Sequence, residues 1–218
     1  MTQNIALVTG ASRGLGAAMA EQLAIRGWHV VAVARTVGAL EELDDRVKAL
    51  KLPGAGALTL APMDITDEGA MRHLCRQVHD RWGGLQAWVH TAVHTTALAP
   101  AGSVDMKDMD RSIATNLRAT SFLITMLEPL LRAGKGTAMF FDDPLVGHQF
   151  AAAYGTTKAG QIGLARSWAS ENAKIGPQVH IVSPAPMPTA VRARFYPGED
   201  RSRLADPRTE ATRLAALL

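Results

Sequence analysis

The stretch AAAYGTTKAG sets Tyr154 and Lys158 four residues apart. On a helix that spacing puts both side chains on one face. An ammonium beside a phenol favours the phenolate and lowers the phenol's pKa. Tyr154 is therefore a candidate general acid/base, with Lys158 as its tuning charge. Isolated Tyr-x-x-x-Lys spacings often arise by chance. Here the tyrosine is one of only two in the chain, and it opens a predicted helix after a predicted strand.

A second cluster, LVTGASRGLG at 7–16, could hold a partner for such a tyrosine. Gly10, Gly14 and Gly16 fall in the pattern Gly-x3-Gly-x-Gly, at the turn from a first strand into a first helix. Glycines allow positive φ and close backbone approach, and a fresh helix N-terminus offers free N–H groups to a pyrophosphate. Ser12 adds a hydroxyl donor, Arg13 adds a cation, and Leu15 fills the position between the last two glycines. An ordinary flexible turn is the plain alternative. About 20 residues on, where such folds read the adenosine ribose, an acid would favour NAD. The second apolar run instead ends VAVAR, with Arg35 at that point, and a guanidinium grips a 2′-phosphate. The expected cofactor is NADP(H), preferred over NAD(H).

These residues need a scaffold, and the pattern around them supplies one. Near-continuous apolar runs at 5–10, 29–35, 57–65, 85–93, 136–143 and 178–184 suit parallel strands buried on both faces. Helical patterns at 14–26, 37–50, 67–82, 105–132, 152–173 and 207–218 alternate with them. That order predicts βαβ crossovers and an α/β, Rossmann-type doubly wound sheet, with one domain over 1–218. The chain is 47% hydrophobic with a net charge of +3, which gives no reason to expect nucleic acid or a membrane surface. No apolar stretch reaches the roughly 20 residues of a membrane span. Cys75 is the one cysteine, so no internal disulfide forms, and no basic leader precedes the first strand. The expected location is the cytoplasm. Trp82, Trp88 and Trp168 fit core or interface, and His73 and His79 fit a solvated helix face.

Taken in order, TGASRGLG, Asp64-Ile65, ATNLRAT with Asn116, YGTTK and SPAPMPT resemble the short-chain dehydrogenases/reductases over nearly the whole chain. The resemblance implies that Asp64 contacts the adenine amino group and Ile65 its ring. It implies that Asn116 distorts its helix and holds a proton-relay water. Lys158 would bind the nicotinamide ribose, and Thr189 the carboxamide, from a loop that also carries Pro184. It further implies a homodimer or homotetramer in which the helices at 105–132 and 152–173 pair with their copies. Phe122, Leu123, Met126 and Leu127 on the first, and Ile162, Ala165 and Trp168 on the second, are the apolar candidates for that contact.

Three departures from the family pattern stand out. Where relatives carry a catalytic serine, this chain reads FFDDPLVGHQFAAAY, and alignment puts either Asp143 or Pro144 in the serine's place. An ionised carboxylate only accepts hydrogen bonds and cannot polarise a carbonyl, whereas a protonated Asp143 would donate. Asp142 and Asp143 could equally be a solvated strand end. The family's Asn-Asn-Ala-Gly is replaced by His90-Thr91-Ala92-Val93 beside the cofactor, where His90 could take over an asparagine's bonds. His90 and His94 have no other evident ligands, so no metal is expected. After RLAALL no seventh strand follows, which predicts six strands in the order 3-2-1-4-5-6 with the sixth as an edge that something must cover. The expectation is an NADP-dependent oxidoreductase for a small carbonyl or alcohol, weakened by loss of the serine. The alternative is a non-catalytic cofactor-binding or interaction protein with the same fold.

Overall fold

The computed structural model describes residues 3–218. Six parallel strands form one sheet in the order β3-β2-β1-β4-β5-β6. They are β1 Ile5–Thr9, β2 His29–Ala34, β3 Leu58–Pro62, β4 Ala87–His90, β5 Thr137–Phe141 and β6 Gln178–Val182. Every residue of β1, β2 and β4 is buried. Their unbroken apolar runs follow from that, since both faces are covered. Leu7 of β1 lies beside Val31 of β2 and Trp88 of β4, which fixes the central register.

The crossovers are α1 Gly14–Ile25, α2 Val37–Ala49, α3 Glu68–Trp82, α4 Met106–Ser112, α5 Ala119–Gly134 and α6 Ala152–Asn172. Two later helices, α7 Ala190–Phe195 and α8 Pro207–Ala215, follow β6. On one face of the sheet, Leu74, Leu123, Leu127 and Trp168 pack against Trp88 and Phe140. On the other, Met19, Leu23, Leu40, Leu43 and Leu214 pack against Val8, Val30 and Met139. Helix α8 starts at Pro207 under an Asp206 cap and lies on α1. The buried carboxylate of Glu21 pairs there with Arg208 at 3.1 Å and with Arg46 at 3.6 Å.

The stretch 105–132 is not one regular helix. Residues Ile113–Arg118 form a π turn between α4 and α5, with buried Asn116 inside it. The Asn116 carbonyl accepts from two side chains: Thr120 Oγ1 donates to it at 2.8 Å and Gln161 Nε2 at 3.0 Å. A second difference concerns the proposed dimer face. Leu123, Leu127, Ile162, Ala165 and Trp168 are buried in the core of the single chain and cannot form an outer contact, while Phe122 and Met126 are only half-buried. Apolar periodicity marks a buried stripe without saying whether the sheet or a second copy buries it. Among the described residues β6 is an edge strand of the sheet, half-exposed over most of its length.

Candidate active site

The C-terminal ends of the strands open into one cavity of about 310 Å³, lined from Gly10 at one end to Tyr196 at the other. This is where open α/β sheets bind ligands. Gly10, Ser12, Arg13, Gly14, Leu15 and Gly16 wall it where β1 turns into α1. Gly10 has φ +82 and Gly14 φ +56, a region L side chains rarely adopt. A Cβ on Gly16 would lie 2.3 Å from both the Gly10 carbonyl and Thr91 Oγ1, so only glycine fits. Helix α1 has no side-chain cap and no acid in its first turn, which leaves its N-terminus to an anion. The cradle therefore fits a dinucleotide pyrophosphate.

Beyond the cradle, Arg35 stands at the end of β2, 72% exposed, with its guanidinium 3.6 Å from Asp64. Asp64 also accepts from the backbone and hydroxyl of Thr66, both at 2.9 Å, and Ile65 is buried beside it. On the opposite wall Thr189 caps α7 and its methyl group faces Gly14, while Pro184 lines the same side. Thr91 bonds back to the Thr9 carbonyl at 2.7 Å, with Ala92 next to it. All the residues expected at the cofactor are thus gathered around one cavity.

Tyr154 and Lys158 come from the first turns of α6 and are 2% and 6% exposed. Their relation differs from the expected one. Tyr154 donates its hydroxyl proton to Asp143 Oδ2 at 2.9 Å. Burial, then the charge and hydrogen bond of Asp143, then Asp142, push the tyrosine pKa up rather than down. Lys158 Nζ donates to Gln161 Oε1 at 2.6 Å. Burial lowers the Lys158 ammonium to about 8, with Asp143 and Asp142 acting against the shift. Asp143 lies just past the end of β5, and Leu145 N–H holds its other oxygen at 3.0 Å. Asp143, not Pro144, is the residue bonded to the tyrosine.

Gln161 was not among the residues singled out from sequence. It stands at i+7 from Tyr154 and i+3 from Lys158, on their helix face, and that polar periodicity could have exposed it. Its amide joins the Lys158 ammonium to the Asn116 carbonyl. It also donates to Thr120, whose hydroxyl shares His90 Nε2 at 3.0 Å. His90 Nδ1 meets Thr9 Oγ1 at 2.7 Å. Burial, and then Lys158, hold the imidazole down to about 3, so His90 is neutral at neutral pH. The Asn116 side chain exchanges bonds with the His94 backbone at 2.7 and 2.9 Å and donates to Thr157 at 3.0 Å. His94 itself bonds Asp108 at 2.8 Å, so the two histidines serve separate contacts. Over the cavity, Arg192 of α7 grips Glu199 through two nitrogens, and each holds the other in its charged form.

A doubly wound parallel sheet, a glycine cradle at its first crossover and a buried Tyr-Lys helix pair at the strand ends define a nucleotide-dependent oxidoreductase of the Rossmann type. The short chain dehydrogenase family profile matches residues 4–200, and the chain belongs to that family of dehydrogenases and reductases. It is 32% identical to a cis-4-hydroxycyclohexanecarboxylate dehydrogenase of Sinomonas cyclohexanicum, over 99% of this chain and 89% of that one. It is 31% identical to a 3-oxoacyl-(acyl-carrier-protein) reductase of Staphylococcus aureus, over 82% of this chain and 72% of that one. A metagenomic short-chain oxidoreductase solved in complex with NADP superposes with a TM-score of 0.81 at 27% identity, covering 98% of this chain and 89% of that chain.

Proposed function

We propose that this enzyme uses NADP(H), in preference to NAD(H), to interconvert a small carbonyl compound and its alcohol. The reading is carried by Arg35, exposed at the end of β2 where NAD readers carry an acid, on the same cavity as Tyr154 and Lys158. The NADP named in the metagenomic relative's complex supports it. Asp64 holds Arg35 only loosely, and an exposed pair of that kind is worth about 0–1 kcal/mol, so the guanidinium is free to take a phosphate.

A bound nicotinamide supplies the two-electron chemistry of such a reaction. The chain's own residues hold and move the proton. Gly10, Gly14 and Gly16 let the backbone approach the pyrophosphate, and Thr189 closes the far side. Tyr154 Oη is the proton carrier to a substrate oxygen. Lys158 lies one helical turn on, and through Gln161 it is linked to the Asn116 carbonyl and the buried network. Asp143 works against carbonyl reduction, because it holds the tyrosine's proton and cannot donate to an oxygen gaining charge. Loss of one such donor typically costs ~10²–10³ in rate, so carbonyl turnover is slow. That same bond favours the second reading, a cofactor-binding protein that has lost turnover.

Titration of both cofactors against wild type and Arg35→Asp tests the reading. NADPH binds wild type more tightly than NADH by about tenfold or more, as a charge-assisted contact allows, and Arg35→Asp removes the difference. Equal wild-type affinities overturn the preference. NADPH consumption with a reactive dicarbonyl, abolished in Tyr154→Phe, separates the enzyme from the binding protein. The chain is also proposed to act in the cytoplasm as a homodimer, or a homotetramer, through the outer faces of α5 and α6, where exposed Gly163 has open space beside it. Light scattering then returns at least twice 23.2 kDa, and a monomer refutes the contact.

A further inference from the structure

The substrate half of the cavity holds a carboxylate in a place that suits a cation better than a carbonyl. Asp143 Oδ1 is held by Leu145 N–H and Oδ2 by the Tyr154 hydroxyl, so the carboxylate is fixed in position. Its neighbour Asp142 lines the same cavity and is paired with Arg166 at 3.2 Å. The nearby cations act on it only from a distance: Arg192 is clamped on Glu199, and Lys158 is buried on Gln161. Among the described residues Asp143 has no ion-pair partner. It is half-buried at a cavity walled by Leu145, Met187, Val191 and Phe195. A carboxylate so placed raises the energy of an oxygen gaining negative charge and lowers that of an N–H bearing positive charge.

We propose that this site takes a cationic nitrogen on a small apolar frame: a protonated imine as the substrate to be reduced, or the matching secondary amine in reverse. The proposal rests on the hydride-transfer reading above and replaces its carbonyl with C=N. Asp143 accepts the iminium N–H. The C=N π bond breaks, a C–H bond forms at the carbon, and the electron pair moves to nitrogen. A reduced nicotinamide dinucleotide is the two-electron reductant, so iminium is reduced and nicotinamide oxidised. The neutral amine then takes its second proton from solvent. No proton leaves Tyr154, whose raised pKa keeps it protonated. Its hydroxyl orients Asp143 instead, and a carbonyl substrate, which brings no proton of its own, loses that competition.

The test uses 2-methyl-1-pyrroline and cyclopentanone as five-membered C=N and C=O substrates, with NADPH, on wild type and on Asp143→Ser and Asp143→Asn. Wild type is expected to show a kcat/KM for the imine about tenfold or more above the ketone, and Asp143→Ser to close or reverse that ratio. A second readout is independent of turnover: binding of pyrrolidinium to the enzyme–NADPH complex by calorimetry, weakened about tenfold or more in Asp143→Asn. Circular dichroism melts show that each variant is folded. A wild type faster on the ketone overturns the proposal and leaves hydride transfer standing. Turnover of neither compound, with Asp143-dependent pyrrolidinium binding, upholds the cation site and overturns the catalytic reading. Pyrrolidinium binding that ignores Asp143 overturns the cation site.

Discussion

Asp143 decides what the proton at Tyr154 can do. With the carboxylate in place, the phenol is both desolvated and faced by negative charge, and its pKa rises. Asp143→Ser removes the charge and leaves a hydroxyl that can donate. Ketone turnover should then rise, by up to ~10²–10³ if that donor limits the rate. The phenolate absorbance of Tyr154 should also appear at lower pH than in wild type. No change in either quantity would show that this bond does not govern the tyrosine. Gln161 gives a second test at this scale. Gln161→Leu strips the buried Lys158 ammonium of its acceptor, a loss of about 1–3 kcal/mol, and should push its pKa further below about 8. The basic limb of the kcat–pH profile moves to lower pH, and Gln161→Glu moves it back. Unaltered profiles would reduce Gln161 to packing. The sequence made Tyr154, Lys158 and the missing serine legible because each is a residue type at a fixed spacing. It could not show the Tyr154–Asp143 bond, which joins two elements, or the direction of the tyrosine's shift, which depends on burial.

At the scale of elements, the cradle rests on contacts between β1, α1 and the end of β4. Gly16→Ala places a methyl group against the Gly10 carbonyl and Thr91. We expect cofactor affinity to fall by at least about tenfold and the melting temperature to drop, because backbone must shift to admit it. An unchanged titration would mean the loop is freer than its geometry. Strand and helix order could be read from sequence because apolar runs alternate with amphipathic segments, and α6 falls within a residue of 152–173. Strand β4 ends at His90 rather than 93, and beyond it Asn116 holds the His94 backbone from 22 residues away. No local pattern encodes that bond. The apolar stripes of α5 and α6 likewise could not separate core from interface.

The whole molecule carries its buried ionisable groups as a dependence of stability on pH. His90 titrates near 6.5 when unfolded and about 3 when folded, so below pH 6.5 the unfolded chain binds more protons and stability falls. Lys158 goes from 10.5 to about 8, so its burial penalty is complete below pH 8 and fades as pH rises to 10.5, a gain on the order of 3 kcal/mol. Tyr154 opposes that gain above pH 10.0, where only the unfolded phenol ionises. Buried Cys75, raised by burial from 9.0 to about 11, opposes it from pH 9, so denaturant unfolding should show a falling acid limb, a level stretch from pH 6.5 to 8, and a rise from 8 that flattens past 9. His90→Asn should flatten the acid limb. An acid limb of the same slope in that variant would assign the loss to other groups.

The π turn at Ile113–Arg118 has an evolutionary reading. A π turn is an α-helix carrying one residue more than its ladder needs. Deleting Ala114 would restore the regular ladder from α4 into α5 and give a better helix by local measures. It would also rotate α4 by about 100° relative to α5 and pull Asp108 away from His94. The Asn116 carbonyl would turn with α4, and Gln161 would lose one of its anchors. The segment thus behaves as a retained insertion, readily lost by a single codon deletion unless the site depends on it. A deletion library across 106–134 scored for fold and for NADPH binding should find folded members here that no longer bind.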